Sequence, residues 1–357
     1  MAVSLIAGVM LVSSAPAVPP PVNGGQPAQR GLAVWMPGPV ECDGGAVVAG
    51  EPIRRPLGAI VSYRGERQET VAFDIDASGR PVSIVDQGRG FMPADDVAPA
   101  LAVSRFPAQE RKGCRVTYTM QVTPFETAEL ADLVSYSITQ RSGRLPKEAW
   151  ERISGQGDCA QDPRPQPLVR AYPDFGKVEA TPGVRDWALI GYDTDAKGKP
   201  TKVHAVMGTG NEVLDKAAAK AVSESRFTGG ARSQCVYPYW RTPAVLPAPA
   251  MPEKGTFPAG ELCPKDSDWE KRPEIRFPAA YNRRKIEGWA IIGYDVAPWG
   301  GVGNLKVLAA QPSADFGKQA LSLMGSAKRK VGTEGASNCV QAFRFAMEAS
   351  EEKAEAD

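Results

Sequence analysis

Six cysteines and one histidine are the side chains of this 357-residue sequence that could carry redox, metal or nucleophilic chemistry. No two cysteines stand as C-x-x-C and His204 is the only histidine, so the ligand spacing of a zinc site is missing. A serine or cysteine nucleophile would need an imidazole, and His204 alone could supply it. We therefore predict no catalytic residues, no metal site and no cofactor. An enzyme with an acidic site stays an alternative, because carboxylates occur throughout the chain.

Two segments of the form Asp-x-Asp-x-x-Gly, beginning at Asp74 and Asp193, resemble the start of a calcium-binding loop. Such a loop needs a bidentate glutamate at its twelfth position. Val85 and His204 stand at that position instead. Since the glycine of each segment suits the positive φ of a short hairpin, we predict hairpin turns at both places.

Internal repeats indicate the architecture. The stretch WALIGYD at 187–193 recurs as WAIIGYD at 289–295, and FDIDASGRP at 73–81 recurs as YDTDAKGKP at 192–200. Because the two matches share the middle region, all three regions are copies of one unit. Each copy has the pattern of a strand, a turn, a second strand, a helix and a last strand. The prediction is an α+β fold of three tandem β-β-α-β modules, each an antiparallel three-stranded sheet packed on a helix.

Local signals place the helices and one sheet edge. In the second copy Leu214 and Val222 belong to an apolar stripe at helical spacing, and Asn211 is a suitable N-cap. In the third copy the helix is predicted over 316–330. Pro238 falls inside the last strand of the second copy, where a central strand would lose a ladder hydrogen bond, so this strand is predicted at a sheet edge.

The cysteines follow the repeat. Each copy has one cysteine ahead of its first strand and one at the start of its last strand, at separations of 72, 76 and 76 positions. Six cysteines allow fifteen pairings, and the repeat selects one of them: Cys42–Cys114, Cys159–Cys235 and Cys263–Cys339. Each bridge would stabilise its module by roughly 4 kcal/mol in the chain-entropy model. Such bridges indicate an oxidising compartment.

The N-terminal residues indicate export. An apolar stretch from Met1 to Val12 has the length of a signal-peptide core, and Ala15-Pro16-Ala17 has the small-x-small pattern of a cleavage site. We predict cleavage near Ala17 and a periplasmic or secreted mature protein. The alternative is an earlier start that turns the apolar stretch into a membrane anchor.

The charge balance excludes a strongly basic surface. Forty-two lysines and arginines stand against 41 aspartates and glutamates, so no nucleic-acid partner is predicted. Two short basic runs occur at 283–285 and 328–330. We expect them to be solvated helix faces, with contact to an acidic partner as the alternative.

Composition changes mark the boundaries between the copies. The predicted organisation is a signal peptide at 1–17, a linker at 18–40, a first module at 41–125, a linker at 126–157 with one short helix near 147–153, a second module at 158–243, a Pro-rich linker at 244–261, a third module at 262–347, and an acidic tail at 348–357.

The repeated unit resembles the C-terminal domain of TonB, the periplasmic energy transducer. The clearest similarity is the lead-in of the third copy, RFPAAYNRRKIEGW at 276–289, which Tyr172-Pro173 and Gly183-Val184 repeat in part. The helix ends Ser104-Arg105-Phe106 and Ser225-Arg226-Phe227 are also similar to that family.

The resemblance implies a domain that captures an extended peptide by adding it to a sheet edge. On this basis the candidate surface in the second copy is the predicted edge strand with Tyr237, Tyr239 and Trp240. The implied partner is a protein or peptide of the cell envelope, such as an outer-membrane receptor, without nucleic acid or a small-molecule cofactor. The sequence has only short linkers, so we predict a non-catalytic binding protein. Energy transduction for outer-membrane transport, with an uncleaved anchor, is the alternative.

Overall fold

The computed structural model describes residues 30–62, 66–87, 94–155, 157–332 and 334–347. These residues form a mixed α+β fold with several small antiparallel sheets and few helices. The predicted signal peptide and acidic tail lie outside the described residues. No helix in the described ranges is long and apolar enough to cross a membrane.

The elements of the first half, in chain order, are β1 (Arg30–Cys42), β2 (Gly45–Val47), β3 (Ala59–Ser62), β4 (Arg67–Ile75), β5 (Pro81–Asp86), α1 (Val97–Ala102), β6 (Arg111–Thr123), α2 (Leu130–Ile138) and α3 (Lys147–Ser154). Those of the second half are β7 (Pro167–Val169), β8 (Asp186–Thr194), β9 (Pro200–Gly208), α4 (Glu212–Glu224), β10 (Arg226–Phe227), β11 (Arg232–Arg241), β12 (Trp269–Lys271), α5 (Ala279–Arg283), β13 (Gly288–Val296), β14 (Val302–Gln311), α6 (Ala314–Gly325), β15 (Lys328–Arg329) and β16 (Ala336–Phe345).

The first long strand of each copy lies between the two other strands of that copy. Strand β4 lies between β5 and β6, β8 lies between β9 and β11, and β13 lies between β14 and β16. All of these pairs are antiparallel. In the second and third copies the last strand therefore has one side paired with the central strand and one side turned outward, whereas β6 pairs with β1 on its other side.

The helices follow their local signals to different degrees. Asn211 caps α4 as predicted, because its side-chain oxygen accepts a hydrogen bond from the Leu214 amide at 3.0 Å. Helix α1 has only six residues, with Pro99 in its first turn. Helix α6 ends at Gly325 rather than near 330, because Lys328 and Arg329 pair as strand β15 with β12.

A repeated aspartate explains the Asp-x-Asp segments without a metal. In each copy the aspartate after the aromatic residue of the central strand accepts a hydrogen bond from a backbone amide with positive φ, in the bulge ahead of the second cysteine: Asp74 from Gly113 at 3.0 Å, Asp193 from Gln234 at 2.8 Å, and Asp295 from Asn338 at 2.9 Å. These carboxylates thus stabilise the bulge that lets the last strand begin its ladder.

Each hairpin turn contacts the chain segment that follows the helix. The turn glycines Gly79, Gly198 and Gly300 have φ of +83°, +73° and +80°, and a Cβ there would lie 2.1, 1.8 and 2.0 Å from the backbone oxygens of Phe106, Phe227 and Arg329. A larger residue would meet both the backbone strain of this conformation and a steric clash. The repeated glycine is therefore required by packing as well as by the turn.

Strand β1 corrects the prediction of a linker up to residue 40. Its thirteen residues pair antiparallel with β6, and its ends also pair with β2 and β3. Pro37, Gly38 and Pro39 interrupt the strand pattern in the sequence, and the register shifts there between Pro37 and Val40. The strand forms despite them because β6 supplies a hydrogen-bond ladder on both sides of the interruption. This partner lies far away in the sequence.

The copies share their cores instead of being separate units joined by linkers. One apolar cluster contains residues of both the first and the third copy, such as Ile84 of β5 and Phe316 of α6. A second cluster joins Leu32 of β1 and both helices of the 126–157 segment to Trp187 and Leu189 of β8. Within the Pro-rich segment after β11, Leu246 is buried and bridges to Ile286 of the third copy. The segments between copies therefore pack as part of the fold.

The expectation that both basic runs are solvated helix faces is wrong. Arg284 is 6% exposed and binds Asp96 of the first copy, which is fully buried. Arg329 is 1% exposed; its guanidinium carbon lies 3.4 Å from the ring centroid of Trp269, and its Nη2 donates to the Tyr294 hydroxyl at 2.5 Å. The middle arginine of each run thus holds the structure together.

Candidate peptide-binding sheet edges

The six cysteines form three disulfides, with the same pairs that the repeat predicts: Cys42–Cys114, Cys159–Cys235 and Cys263–Cys339. Each bridge joins a residue that precedes the central strand of a copy to the start of that copy's last strand. Three disulfides fit an extracytoplasmic protein. They also hold the beginning of β6, β11 and β16.

His204 lies in an exposed part of β9 with structural contacts only. Its Nδ1 is 2.8 Å from the Lys202 carbonyl oxygen, and its ring covers Gly191, where a Cβ would lie 2.8 Å from the imidazole. Among the residues with described positions, no three His, Cys, Asp or Glu side chains are grouped so that they could hold a metal ion.

The outer edge of β6 in the first copy already holds a strand. Strand β1 pairs with it from Leu32 opposite Thr123 to Glu41 opposite Arg115. At the bulge, a Cβ on Gly38 would lie 3.1 Å from the Thr117 carbonyl oxygen, so this carbonyl faces β1. The first copy therefore contains, within one chain, a strand added to the edge of the repeated unit.

The residues predicted to form the peptide-binding edge of the second copy lie on two faces of β11. Tyr239 is buried against α4, and its hydroxyl donates to the Ala171 carbonyl at 3.1 Å. Burial raises the pKa of Tyr239 to about 12, so the hydroxyl keeps its proton for this bond. Tyr237 lies on the same face, whereas Trp240 lies on the other face opposite Trp187 and is 39% exposed.

Pro238 affects what the edge of β11 can bind. The edge position that we inferred from this proline is confirmed, since β11 pairs only with β8 in the described part of the chain. Pro238 stands opposite Leu189, and a residue without an N–H fits such a ladder where its nitrogen points away from the neighbouring strand. The outward side of β11 thus lacks a donor at its centre, and prolines at such positions protect edges from strand addition.

Strand β16 of the third copy has the more complete edge. Ala342 stands at the position of Pro238, three residues after the second cysteine, and Ile291 is its partner in β13. By the same alternation Val340, Ala342 and Arg344 turn their amides and carbonyls outward. No strand among the described residues pairs with that side. Ala342 and Arg344 are exposed, and the Ala342 carbonyl accepts a hydrogen bond from the Gln341 side chain at 3.2 Å rather than from a strand.

One equivalent position in the sequence distinguishes the last strands of the three copies. The position three residues after the second cysteine is Thr117, Pro238 or Ala342. Only the pairing pattern shows that this position faces outward in every copy, and that β1 occupies the first edge. The donor groups of β16 therefore could not be selected from residue types alone.

The serines of the two Ser-Arg-Phe motifs have structural roles in this chain. Ser225 Oγ donates to the Ala221 carbonyl at the end of α4 and accepts a hydrogen bond from the Ala171 amide, at 2.9 and 3.1 Å. Ser104 makes the same pair of contacts in the first copy. In comparisons with known proteins, no family model and no curated protein match the chain.

Proposed function

We propose that this protein is an extracytoplasmic, TonB-like binding protein that captures an extended peptide or protein segment of the cell envelope by strand addition. The β16 edge is the receiving surface, and no chemical step is involved. The observation that carries the proposal is β1, which occupies on β6 the edge that corresponds to the unpaired edge of β16. The first copy thus holds a strand on its last strand, and the third copy exposes the backbone groups of the equivalent edge to solvent.

Main-chain hydrogen bonds would supply the affinity. Val340, Ala342 and Arg344 present a continuous series of donors and acceptors, in contrast to β11 with its proline. A ligand strand would also place side chains beside Arg344, which is exposed on the outer face. An acidic residue at that point of the ligand would add a cross-strand pair worth roughly 0.2–1 kcal/mol.

The β-β-α-β order in each copy, the shared turn glycines and the Ser-Arg-Phe contacts support the relation to the TonB C-terminal domain. The three disulfides support a periplasmic or secreted location. Outer-membrane receptors are one class of envelope protein whose extended segments could serve as the ligand strand.

A synthetic peptide with the sequence of β1, Arg30–Cys42 with serine in place of Cys42, is a suitable first probe. On strand addition, the amides of Val340, Ala342 and Arg344 should become protected from hydrogen exchange. Those of Gln341 and Phe343, which face β13, should change little. Protection of amides on the opposite sheet edge, or no protection at saturating peptide, would contradict the proposed site.

A further inference from the structure

A group of buried charges lies where the first and third copies meet, and positive charge is in excess there. Its guanidinium groups belong to Arg141, Arg283 and Arg284, and its carboxylates belong to Asp95 and Asp96. We name these five residues the arginine junction. Two ion pairs beside it are neutral, Arg55 with Asp132 and Arg67 with Glu69. The arginine junction therefore has one positive charge that no carboxylate compensates, which is unfavourable in a buried place.

The contacts within the arginine junction hold two guanidinium groups on either side of Asp95. One oxygen of Asp95 contacts Nη2 of Arg141, and the other lies 3.5 Å from Nη2 of Arg283. Arg283 also extends toward Asp96, whose Oδ1 lies 3.8 Å from its Nη1. The side chain of Arg141 is 6% exposed, whereas that of Arg283 is 23% exposed. The arginine junction is thus closed around Arg141 and reaches solvent at Arg283, which is a path for a small ion.

Two N–H donors of the arginine junction have no acceptor among the described residues, the Nε–H of Arg141 and the Nη1–H of Arg283. The two other nitrogens of Arg141 bind Asp95 and the Leu57 carbonyl oxygen. At 3.8 Å, Arg283 Nη1 is beyond hydrogen-bond distance of Asp96. Both donors are buried, so water at the surface does not satisfy them. A buried donor without an acceptor costs free energy.

The hydroxyl of Tyr118 is a third buried donor without an acceptor among the described residues. Tyr118 lies on β6 and has no exposed surface. Burial raises the pKa of this hydroxyl, Arg284 lowers it and Asp96 raises it, which places the hydroxyl within electrostatic reach of the arginine junction. Burial, followed by Arg283 and Arg284, lowers the pKa of Arg141 to about 9, so the guanidinium groups lie close enough to repel one another. Buried donors of this kind are rare in proteins, and a bound ion is one explanation for them.

We propose that the arginine junction binds a chloride ion, with the Nε–H of Arg141, the Nη1–H of Arg283 and the Tyr118 hydroxyl as its donors. The single negative charge of chloride matches the single uncompensated positive charge. A carboxylate or phosphate group is commonly held by two parallel N–H groups of one guanidinium. The free donors here are single and come from three side chains, which suits a spherical ion, and the fork of Arg284 is already occupied by Asp96. The inference does not rest on the proposed function, which concerns β16.

Urea unfolding of the full chain in sodium chloride and in sodium gluconate, at equal ionic strength, tests the site. In gluconate, Tyr118→Phe should be at least as stable as wild type, because it removes a buried hydroxyl that has no partner. In chloride it should be less stable than wild type, because a donor to the ion is lost. Tyr239→Phe is the matched control: it loses the bond to the Ala171 carbonyl, and its cost should be the same in both salts. The folding equilibrium constant of wild type should rise up to tenfold for each tenfold rise in chloride.

Anomalous diffraction from wild-type crystals grown in sodium bromide locates the ion without any variant. We expect a bromide peak within hydrogen-bond distance of Arg141 Nε and the Tyr118 hydroxyl. Bromide peaks only at other places, which would mean an adventitious ion only, would overturn the inference. An effect of Tyr118→Phe that is the same in chloride and in gluconate would also overturn it.

Discussion

Arg284 and Asp96, 188 residues apart in the chain, form a buried bidentate ion pair where the three copies meet. Arg284 Nε and Nη2 lie 2.9 and 2.5 Å from the two carboxylate oxygens of Asp96. Arg284 Nη1 also donates to the Gly183 carbonyl of the second copy at 3.4 Å. One guanidinium of the third copy thus binds the first and the second copy together.

We predict that Arg284→Ala lowers the free energy of unfolding by about 3–5 kcal/mol, because it removes the bidentate partner of a fully buried carboxyl group. Asp96 would keep only the Leu57 amide at 2.7 Å and Arg283, whose Nη1 lies 3.8 Å away. Urea unfolding followed by circular dichroism measures the change. The control is Arg276→Ala: that side chain is 74% exposed and pairs with the exposed Glu274, so its loss should cost about 1 kcal/mol or less. Replacing both partners, in Arg284→Met/Asp96→Leu, should recover much of the loss. Equal effects of the two alanine variants would contradict the assigned role.

The turn glycines allow a matched comparison of strain and clash. Gly198 and Gly230 have nearly the same φ, +73° and +72°, but a Cβ would lie 1.8 Å from the Phe227 oxygen at Gly198 and no closer than 3.9 Å to any atom at Gly230. Gly230→Ala should cost about 1–2 kcal/mol from the left-handed backbone alone. Gly198→Ala should cost a further ~1–3 kcal/mol from the clash. Thermal or urea unfolding of the two variants separates the cost of backbone strain from the cost of the clash. Equal losses of stability in the two variants would rule out the packing role of Gly198.

Arg329 stands where the other copies have Phe106 and Phe227. It stacks on Trp269 and binds the Tyr294 hydroxyl and the Lys265 carbonyl. Because lysine lacks the planar fork, Arg329→Lys should lose about 2 kcal/mol of stability. Lys330→Ala, in the same basic run but exposed, should change stability by less than about 0.5 kcal/mol. The contrast is measured by urea unfolding, and an Arg329→Lys variant as stable as wild type would refute it.

Stability at acid pH should depend on Asp295, the bulge aspartate of the third copy. Hydrogen bonds from the Asn304 side chain and the Asn338 amide lower the pKa of Asp295 below 3.8. The unfolded chain therefore takes up the proton first as the pH falls. The stabilisation is present above about pH 3.8 and is lost as the pH drops through the lowered pKa. Asp295→Asn should make the fall in stability below pH 4 shallower, whereas Asp162→Asn, at a side chain 91% exposed, should not. Unfolding curves at several pH values test this, and an unchanged slope in Asp295→Asn would contradict it.

Much of the fold could be predicted where the signals are local. The Asn211 cap, the apolar stripe of α4 and the hairpin glycines each act within a few residues, and repetition reinforced them. Strand β1 was missed because Pro37 and Pro39 mimic a linker and its partner is distant in sequence. The pairing of Arg284 with Asp96 was missed for a related reason, because the two residues are distant in sequence. A basic run alone predicts a solvent-exposed surface, and nothing near it in the sequence indicates a buried carboxylate partner.

The candidate site was only partly predictable for a physical reason. Pro238 indicated an edge strand because proline has no backbone N–H to donate. The lack of this donor also weakens that edge for strand addition. Which side of the strand this position faces depends on the register with β8. The better edge at Ala342 becomes visible only when the three sheets are compared.

The most direct test of strand addition at β16 is to exchange the residues at the equivalent positions 238 of β11 and 342 of β16. Ala342→Pro should fold, because β11 carries a proline there, but it removes the central outward donor. Pro238→Ala adds that donor to β11. Wild type and both variants, each with a photo-crosslinking residue at Arg344, would be used to capture segments from native envelope extract, with far-UV circular dichroism as the folding control. Strand addition predicts that Ala342→Pro loses crosslinked partners at least tenfold, a loss of about 1.4 kcal/mol in binding, while Pro238→Ala keeps them. Undiminished crosslinking in folded Ala342→Pro would contradict it.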